Sequence, residues 1–471
     1  MTELRKVLKL RTVISTSAGM AIATSCYLAG LQIATVLVGE LAWISVLVAG
    51  FFCLLSAMCF SELTALYPSA AGIKLFIQHA FNEKVAIVIG MFYVVLGISM
   101  VGAESYLLSS VLTSTVHLVG PVFDRFFWLF FFVFFVAYVN YRGVVITGVV
   151  QDIMTYVMIS FLLCVSIYSI AVNGVDMATA VHHSRFTLGN VIQAAGVGVF
   201  LFVGYEWVAP LAEETTDYKL IGKGMLWAIG ILTCTYSLFA VGMYVGLTQE
   251  QIREQLSTDT PIPHIIFGRN LFGPVGAVFF VLMSVLASAT SFNSGLLNTS
   301  RFSYAMARDN VLPRFISNLH PLHASPYMAI LMLSLLSAAV SLATLLTGQY
   351  FFLIVMAAAL ECFIYIVAAV CVIRLRRKYP DKERSFRVPL GDAIPIVTIV
   401  VFAGLMLSIF SESTRDYEGR VLFQNYWVAI AMGAFFLVTT VYTLTVVPIF
   451  KRKAEERAKL RVKRRPVRPE A

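Results

Sequence analysis

Charge is the scarcest commodity in this 471-residue chain: Asp, Glu, Lys and Arg together make 13% of it, against 59% hydrophobic residues. An ordinary soluble domain carries about 25% charged residues, because its outside must be polar. A chain so short of charge cannot clothe a water-facing surface, so its outer surface must meet lipid. Long polar segments are missing too. The longest loops run from about Thr248 to Leu271 and from Arg374 to Asp392, too short for an aqueous domain, so any chemistry must occur within a membrane bundle. Cysteine is sparse, and all seven (26, 53, 59, 164, 234, 362, 371) fall in apolar stretches, which suits buried thiols and not a disulfide frame. His182–His183, His320 and His323 lack the paired spacing with a carboxylate that zinc enzymes use. No metal and no cofactor are expected. The charged N-terminus is followed by an apolar stretch without a small-residue cleavage site, so no removable signal peptide is expected.

What is present is apolar length. A membrane helix needs about 20 mainly apolar residues, and such stretches are centred near Ile22, Phe52, Leu96, Phe131, Ile159, Phe200, Ser237, Val281, Ser334, Val367, Val401 and Phe435. A β-barrel would alternate over ten-residue strands, and runs such as WLFFFVFFVAYV (Trp128 to Val139) do not. The expected fold class is therefore an all-α membrane protein with twelve transmembrane helices. With both termini in the cytoplasm, 29 of the 35 Lys and Arg residues fall on the inner side and 6 outside, as the retention of basic residues in the cytoplasm requires. The net charge of +9 concentrates in the tail from Lys451. That tail reads as topogenic charge beside anionic lipid and not as a nucleic-acid site.

Two spans look locally weak. The first carries Ser15, Thr16, Ser17, Gly19, Thr24 and Ser25 in its middle; the sixth reads AAGVGVFLFVGYEWVAP, Ala194 to Pro210. Glycine weakens a helix and proline removes a backbone donor. The two lie five spans apart, as an inverted repeat of five plus five helices requires. Interrupted helices at matching positions of two halves point to a midplane binding site, where unwound backbone is tolerated because it lines a polar cavity.

Several motifs then resemble one family. RFSYAMARDNVLP (Arg301 to Pro313) with His320-Pro321 and Ser325-Pro326, SELTALYPSAAG (Ser61 to Gly72), NYRGVVITGVVQD (Asn140 to Asp152) and FRVPLGDAIP (Phe386 to Pro395) are similar to stretches of the amino acid–polyamine–organocation permeases. The resemblance implies a LeuT-like fold: repeat one over about 11–171, repeat two over about 189–374, and extra helices over about 393–450. A cytoplasmic N-terminus, 1–10, and a basic tail, 451–471, flank this transporter domain. It also implies alternating access. Span one departs from the family pattern, since two later glycines are Ala23 and Ser25, which narrows or alters the cradle for a substrate carboxylate. The sodium-mimicking lysine of some cationic amino acid members falls on Met158 here.

Carboxylates deep in a membrane are costly and point to function. Glu206, beside Gly204 and Tyr205, matches the family's glycine–aromatic–acid position and is expected to attract an ammonium group or carry a proton. Glu104, in SMVGAESYLL of span three, is the second acid expected at the cavity, where two carboxylates would repel unless a cation or proton lies between them. Phe200 occupies the place of a gating aromatic. The expected substrate site is thus Ala23, Thr24, Ser25, Glu104, Phe200, Gly204, Tyr205 and Glu206. By analogy with the fold, Ser288, Thr290 and Ser291 of span eight are candidates for a coupling-ion site, although Ser and Thr also bond back to their own helix. Glu62, Arg142 and Arg308–Asp309 fit cytoplasmic gating or structural ion pairs; Glu361 has no assigned role. The expected function is secondary active transport of amino acids across the cytoplasmic membrane, as proton- or sodium-coupled symport or exchange, by a monomer or homodimer. The alternatives are a polyamine or other organic amine permease and, from another class, a membrane-embedded enzyme or sensor.

Overall fold

A computed structural model describes residues 4–23, 42–175, 194–196, 198–256, 262–411, 413–415 and 421–463. Thr24, Ser25 and Cys26 of the expected site and span lie outside these described residues. The first helix, α1 (Leu10–Ala21), stops after 12 residues. At 1.5 Å per residue it is about 18 Å long, well short of the ~30 Å hydrocarbon thickness. Ile22 follows in extended backbone, φ −81° and ψ 98°.

Helices α2 (Ala42–Leu66), α3 (Gly72–Ala80), α4 (Glu83–Thr115), α5 (Pro121–Tyr141) and α6 (Val144–Asn173) complete the first half. Their starts are chemically marked. Asn82 caps α4 by accepting the Val85 amide at 3.0 Å, and Pro121 fills the first turn of α5, where its missing N–H costs nothing. Residues 194–196 and 198–200 are helical, 201–204 turn, and a 3₁₀ helix runs over Tyr205–Glu213. Then come α7 (Lys219–Gly246), the short α8 (Gln249–Leu256), and α9 (Pro263–Arg308), which bends at Phe272 and Gly273 just before Pro274. Helices α10 (Tyr327–Thr347), α11 (Tyr350–Lys378), α12 (Ala393–Ser411) and α13 (Tyr426–Lys463) follow. A short antiparallel hairpin, Ser413–Arg415 with Val421–Gln424, joins the last two.

Among the described residues, eleven helical segments are long and apolar enough to cross a membrane. They match spans two to twelve of the twelve expected; α1 is too short to qualify by itself. The molecule is a multi-span, helical membrane protein. Its layers sort by what each helix meets. The described residues from 194 to 212 are buried, and α1, α2, α3, α7 and α9 pack on the 3₁₀ helix. Helix α5 faces outward instead. Its Phe123, Phe127, Phe131 and Phe135 stack at i, i+4 spacing, with ring centroids 5.8–6.1 Å apart, an exposed apolar ladder suited to lipid. The cysteines divide the same way: Cys53, Cys59, Cys362 and Cys371 are buried, but Cys164 and Cys234 are exposed. Burial of those two was the wrong expectation, because a lipid-facing helix surface is as apolar as the core and carries no sequence signal of its own.

Candidate functional site

The two interrupted segments meet. Ser17 Oγ of α1 donates to the Tyr205 carbonyl at 2.6 Å, and Met20 lies against Gly204, the residue at which the second segment turns. Gly204 has φ +105°, and a Cβ built there would stand 2.2 Å from Met20 Cγ. Both the left-handed backbone and the approach of α1 demand glycine.

A helix that ends inside a membrane exposes its last carbonyls, and here hydroxyls from neighbouring helices collect them. Thr290 Oγ1 of α9 donates to the Gly19 carbonyl at 3.1 Å and reaches that of Ile22 at 3.4 Å; Ser291 Oγ donates to Met20 at 3.0 Å and Ser294 Oγ to Thr16 at 2.7 Å. Tyr236 Oη of α7 takes the Ala21 carbonyl at 2.8 Å. Thr290 also touches its own helix at Ala287, at 3.3 Å, but its shorter bond crosses to α1. Thr290→Val should lower the unfolding midpoint in detergent by the equivalent of ~1 kcal/mol, the net worth of one such bond. An unchanged midpoint would show that the hydroxyl adds nothing.

Glu104, on α4, is fully buried and accepts a hydrogen bond from Ser288 Oγ at 3.1 Å. The structure thus couples two of the expected residues that had been assigned to different sites. The acid that Glu206 faces is another one: Glu361, on α11. Tyr365, one turn further along α11, directs its hydroxyl at Glu206 Oε2, 3.4 Å away. Tyr205 contacts Ser56 through its hydroxyl and lies 5.5 Å, ring to ring, from Tyr365, while Trp207 stacks on Tyr93 of α4 at 4.1 Å. Ala23 and Phe200 are buried beside the breaks. Glu361 was visible in the sequence as the one acid in LIVMAAALECFIYIVAAV; what the sequence lacked was the partner across from it.

The face of the molecule carrying the N-terminus is closed by ion pairs and by the chain itself. Leu8 forms a parallel bridge with Thr215. Arg11 pairs with Asp152 of α6 at 2.9 Å, and Asp152 also accepts from Thr12 and Ser15, at 3.0 and 2.5 Å. Gln151 donates to the Ser15 carbonyl at 3.2 Å and accepts from Asn293 of α9 at 2.8 Å, and Asn293 accepts from Asn140 at 2.9 Å. Arg301 pairs with Glu214, Arg308 with Glu213, and Lys74 with Asp309. Glu62 receives Arg376 and Arg384. Arg142 differs from its expected ion pairing: it donates to the Tyr138 hydroxyl at 2.8 Å and lies over that ring, because the helix end places the tyrosine one turn before it. His79 stacks on Tyr67 at 4.1 Å, and burial, then the charges of Lys382 and Lys378, push its pKa below the usual value. This contact is therefore made by a neutral ring at neutral pH. A cavity of about 580 Å³ opens on this face among Lys6, Glu213, Thr216, Asp217, Tyr304 and Arg308, and its lining includes none of Glu104, Glu206 and Glu361.

Comparison with known proteins agrees with this architecture. The profile of the family described as amino acid permease matches residues 8–448. The branched-chain amino acid permease BcaP of Bacillus subtilis (strain 168) is 26% identical over 78% of this chain and 80% of its own length. A methylthioribose transporter of the same organism is 22% identical over 90% of this chain and 92% of its own. The serine/threonine exchanger SteT, also from that organism, is 22% identical over 76% of this chain and 80% of its own. A family match over nearly the whole length, on a bundle of membrane helices, carries the conclusion: this chain belongs to the amino acid permease family and is a multi-pass membrane transporter, not an enzyme.

Proposed function

We propose that the chain carries a zwitterionic or cationic amino acid across the cytoplasmic membrane by alternating access, with a five-plus-five inverted repeat over about 11–171 and 189–374 and both termini inside. The observation that carries this reading is the meeting of two helix interruptions, at Ala21–Ala23 and at Gly204. The helix end at Ala21 and the turn at Gly204 stand side by side, and interrupted segments that meet within the bilayer are where a transporter can hold a small zwitterion without a soluble domain. Ala23, Thr24 and Ser25 supply the span-one side, Gly204, Tyr205 and Glu206 the other, and Phe200 the lid; the relatives named as amino acid permease and exchanger support the substrate class.

Uptake of a panel of radiolabelled amino acids into proteoliposomes tests this. Accumulation of at least one, competed by unlabelled ligand, is the expected result; no flux of any amino acid would overturn it. A second reading, an organic amine as substrate, is favoured by Glu104, an acid inside the bundle within reach of Ser288. Glu104→Gln should then lower affinity for cationic ligands by about tenfold, equivalent to one charge-assisted hydrogen bond, and leave neutral ones unchanged. Equal loss for both classes would assign Glu104 to packing.

The span-one carbonyls and span-eight hydroxyls that would hold a sodium ion are bonded to each other through Thr290 and Ser291. That arrangement supports coupling to protons. Uptake should be the same in sodium and choline buffers; a strict sodium requirement would refute it.

A further inference from the structure

We propose that Glu206 and Glu361 form a proton-binding pair, with one proton held between their carboxyl groups, and that transport is coupled to proton movement through this pair. The second part rests on the transport reading above; the first stands without it.

Glu361 lies midway along α11 and is completely buried, and Glu206, in the first turn of the 3₁₀ helix, is 1% exposed. Their side chains face each other. Among the described residues, the other titratable groups around them are Cys53 from α2, Tyr93 from α4, Tyr205 from the break itself, and Cys362 and Tyr365 from α11. None of these is a cation. Among the described residues, every ion pair uses other acids: Glu62, Glu83, Asp152, Glu213, Glu214, Asp309, Asp392 and Glu456.

The oxygens are also left wanting. Tyr365 reaches only Glu206 Oε2, at the long distance of 3.4 Å. Among the described residues, Glu206 Oε1 and both oxygens of Glu361 receive no donor at hydrogen-bonding geometry, although Glu361 lies near the Tyr365 hydroxyl and the Gly204 amide. Two ionised carboxylates in contact, buried within a membrane and without a counter-charge, repel each other and lose their hydration. A single proton removes both difficulties. It cancels one charge and turns one carboxyl oxygen into a donor for the other group, so the two titrate as one unit. Among the described residues the groups around the pair are tyrosines and thiols, so a proton held between the carboxyls supplies the positive charge that no side chain there provides.

Position makes the pair more than a structural device. Glu206 travels with the 3₁₀ helix that begins at Gly204, whereas Glu361 belongs to a long continuous helix. Any motion that separates these elements divides the pair, and each carboxyl must then find its own proton or counter-charge. Proton occupancy and the position of the broken helix are thereby linked, since whatever binds one arrangement better shifts the balance towards it.

Two measurements test the parts separately. Infrared difference spectra of purified wild type, taken across a pH step in detergent without any substrate, should show the carbonyl stretch of a buried protonated carboxylic acid. Glu361→Gln and Glu206→Gln should each remove it, with the unfolding midpoints checked to show that both variants fold. No such band in wild type, or a band unchanged in both variants, overturns the pair. In proteoliposomes, [¹⁴C]leucine serves as the probe. Wild type should accumulate it under an imposed pH gradient, and Glu361→Gln should lose that accumulation by about tenfold or more, a typical size for coupling between two sites, while leucine–leucine exchange persists. Gradient-driven accumulation that survives in Glu361→Gln refutes the coupling role. Absence of leucine flux in wild type bears on the transport reading, and the infrared result still decides the pair.

Discussion

Gly204→Ala should slow transport severely while leaving a folded protein. At φ +105° an alanine is strained, and its Cβ would meet Met20 at 2.2 Å. Non-glycine residues in such backbone cost on the order of 1–3 kcal/mol, and an overpacked methyl group costs about as much again. This cost falls on the contact between the two interrupted segments, where a transporter must pass between states of nearly equal energy. We expect initial uptake rates to fall by tenfold to hundredfold, roughly what 1.4–2.8 kcal/mol represents. The steric part has its own signature. Shortening the neighbour in a Met20→Ala, Gly204→Ala double variant should return part of the rate, whereas the backbone strain should remain. Full activity of Gly204→Ala would mean that the segment relaxes freely and that the close approach of α1 has no functional weight.

The largest stability effect should come from Arg301→Met. Arg301 and Glu214 are 0% and 1% exposed, and their side chains meet at 2.9 Å. The guanidinium also reaches Ser300 Oγ, at 3.2 Å, and the Leu297 carbonyl, at 3.5 Å. Removing one partner of a buried pair leaves the other charge stranded, which costs about 3–5 kcal/mol, whereas replacing both with neutral groups is often nearly harmless. Arg301→Met should therefore lower the thermal midpoint in detergent sharply, and Arg301→Met with Glu214→Gln should recover most of the loss. Equal destabilisation in the single and double variants would show that the arginine acts by filling space. The pair ties the 3₁₀ helix at its far end to α9, so the single variant should also loosen the closed face.

Much of this site was legible in residue order. Gly204, Tyr205 and Glu206 stood out because a turn former and an acid interrupt an apolar run, and the cost of a charge in lipid makes any such acid conspicuous. The same rule exposed Glu104 and Glu361. It could not say which acids meet. Glu104 faces Ser288 and Glu361 faces Glu206 because α4, α9, α11 and the 3₁₀ helix come together from segments more than a hundred residues apart, and no local pattern encodes that choice. The hydroxyls of Thr290 and Ser291 were equally ambiguous: a serine in a helix can bond to its own backbone or to a neighbour's, and only the early end of α1 supplies carbonyls to receive them.

The sequence by itself determined that this chain lives in a membrane as a bundle of helices, since its shortage of charge and its recurring apolar stretches admit no other surface. It also located the two interruptions, because glycine, proline and clustered hydroxyl residues weaken a helix wherever they fall. Only the tertiary structure decided which helices face lipid and which face one another, and with that the pairing of Glu206 with Glu361. Lipid and protein core are equally apolar, so hydrophobicity cannot tell the two surfaces apart; packing does.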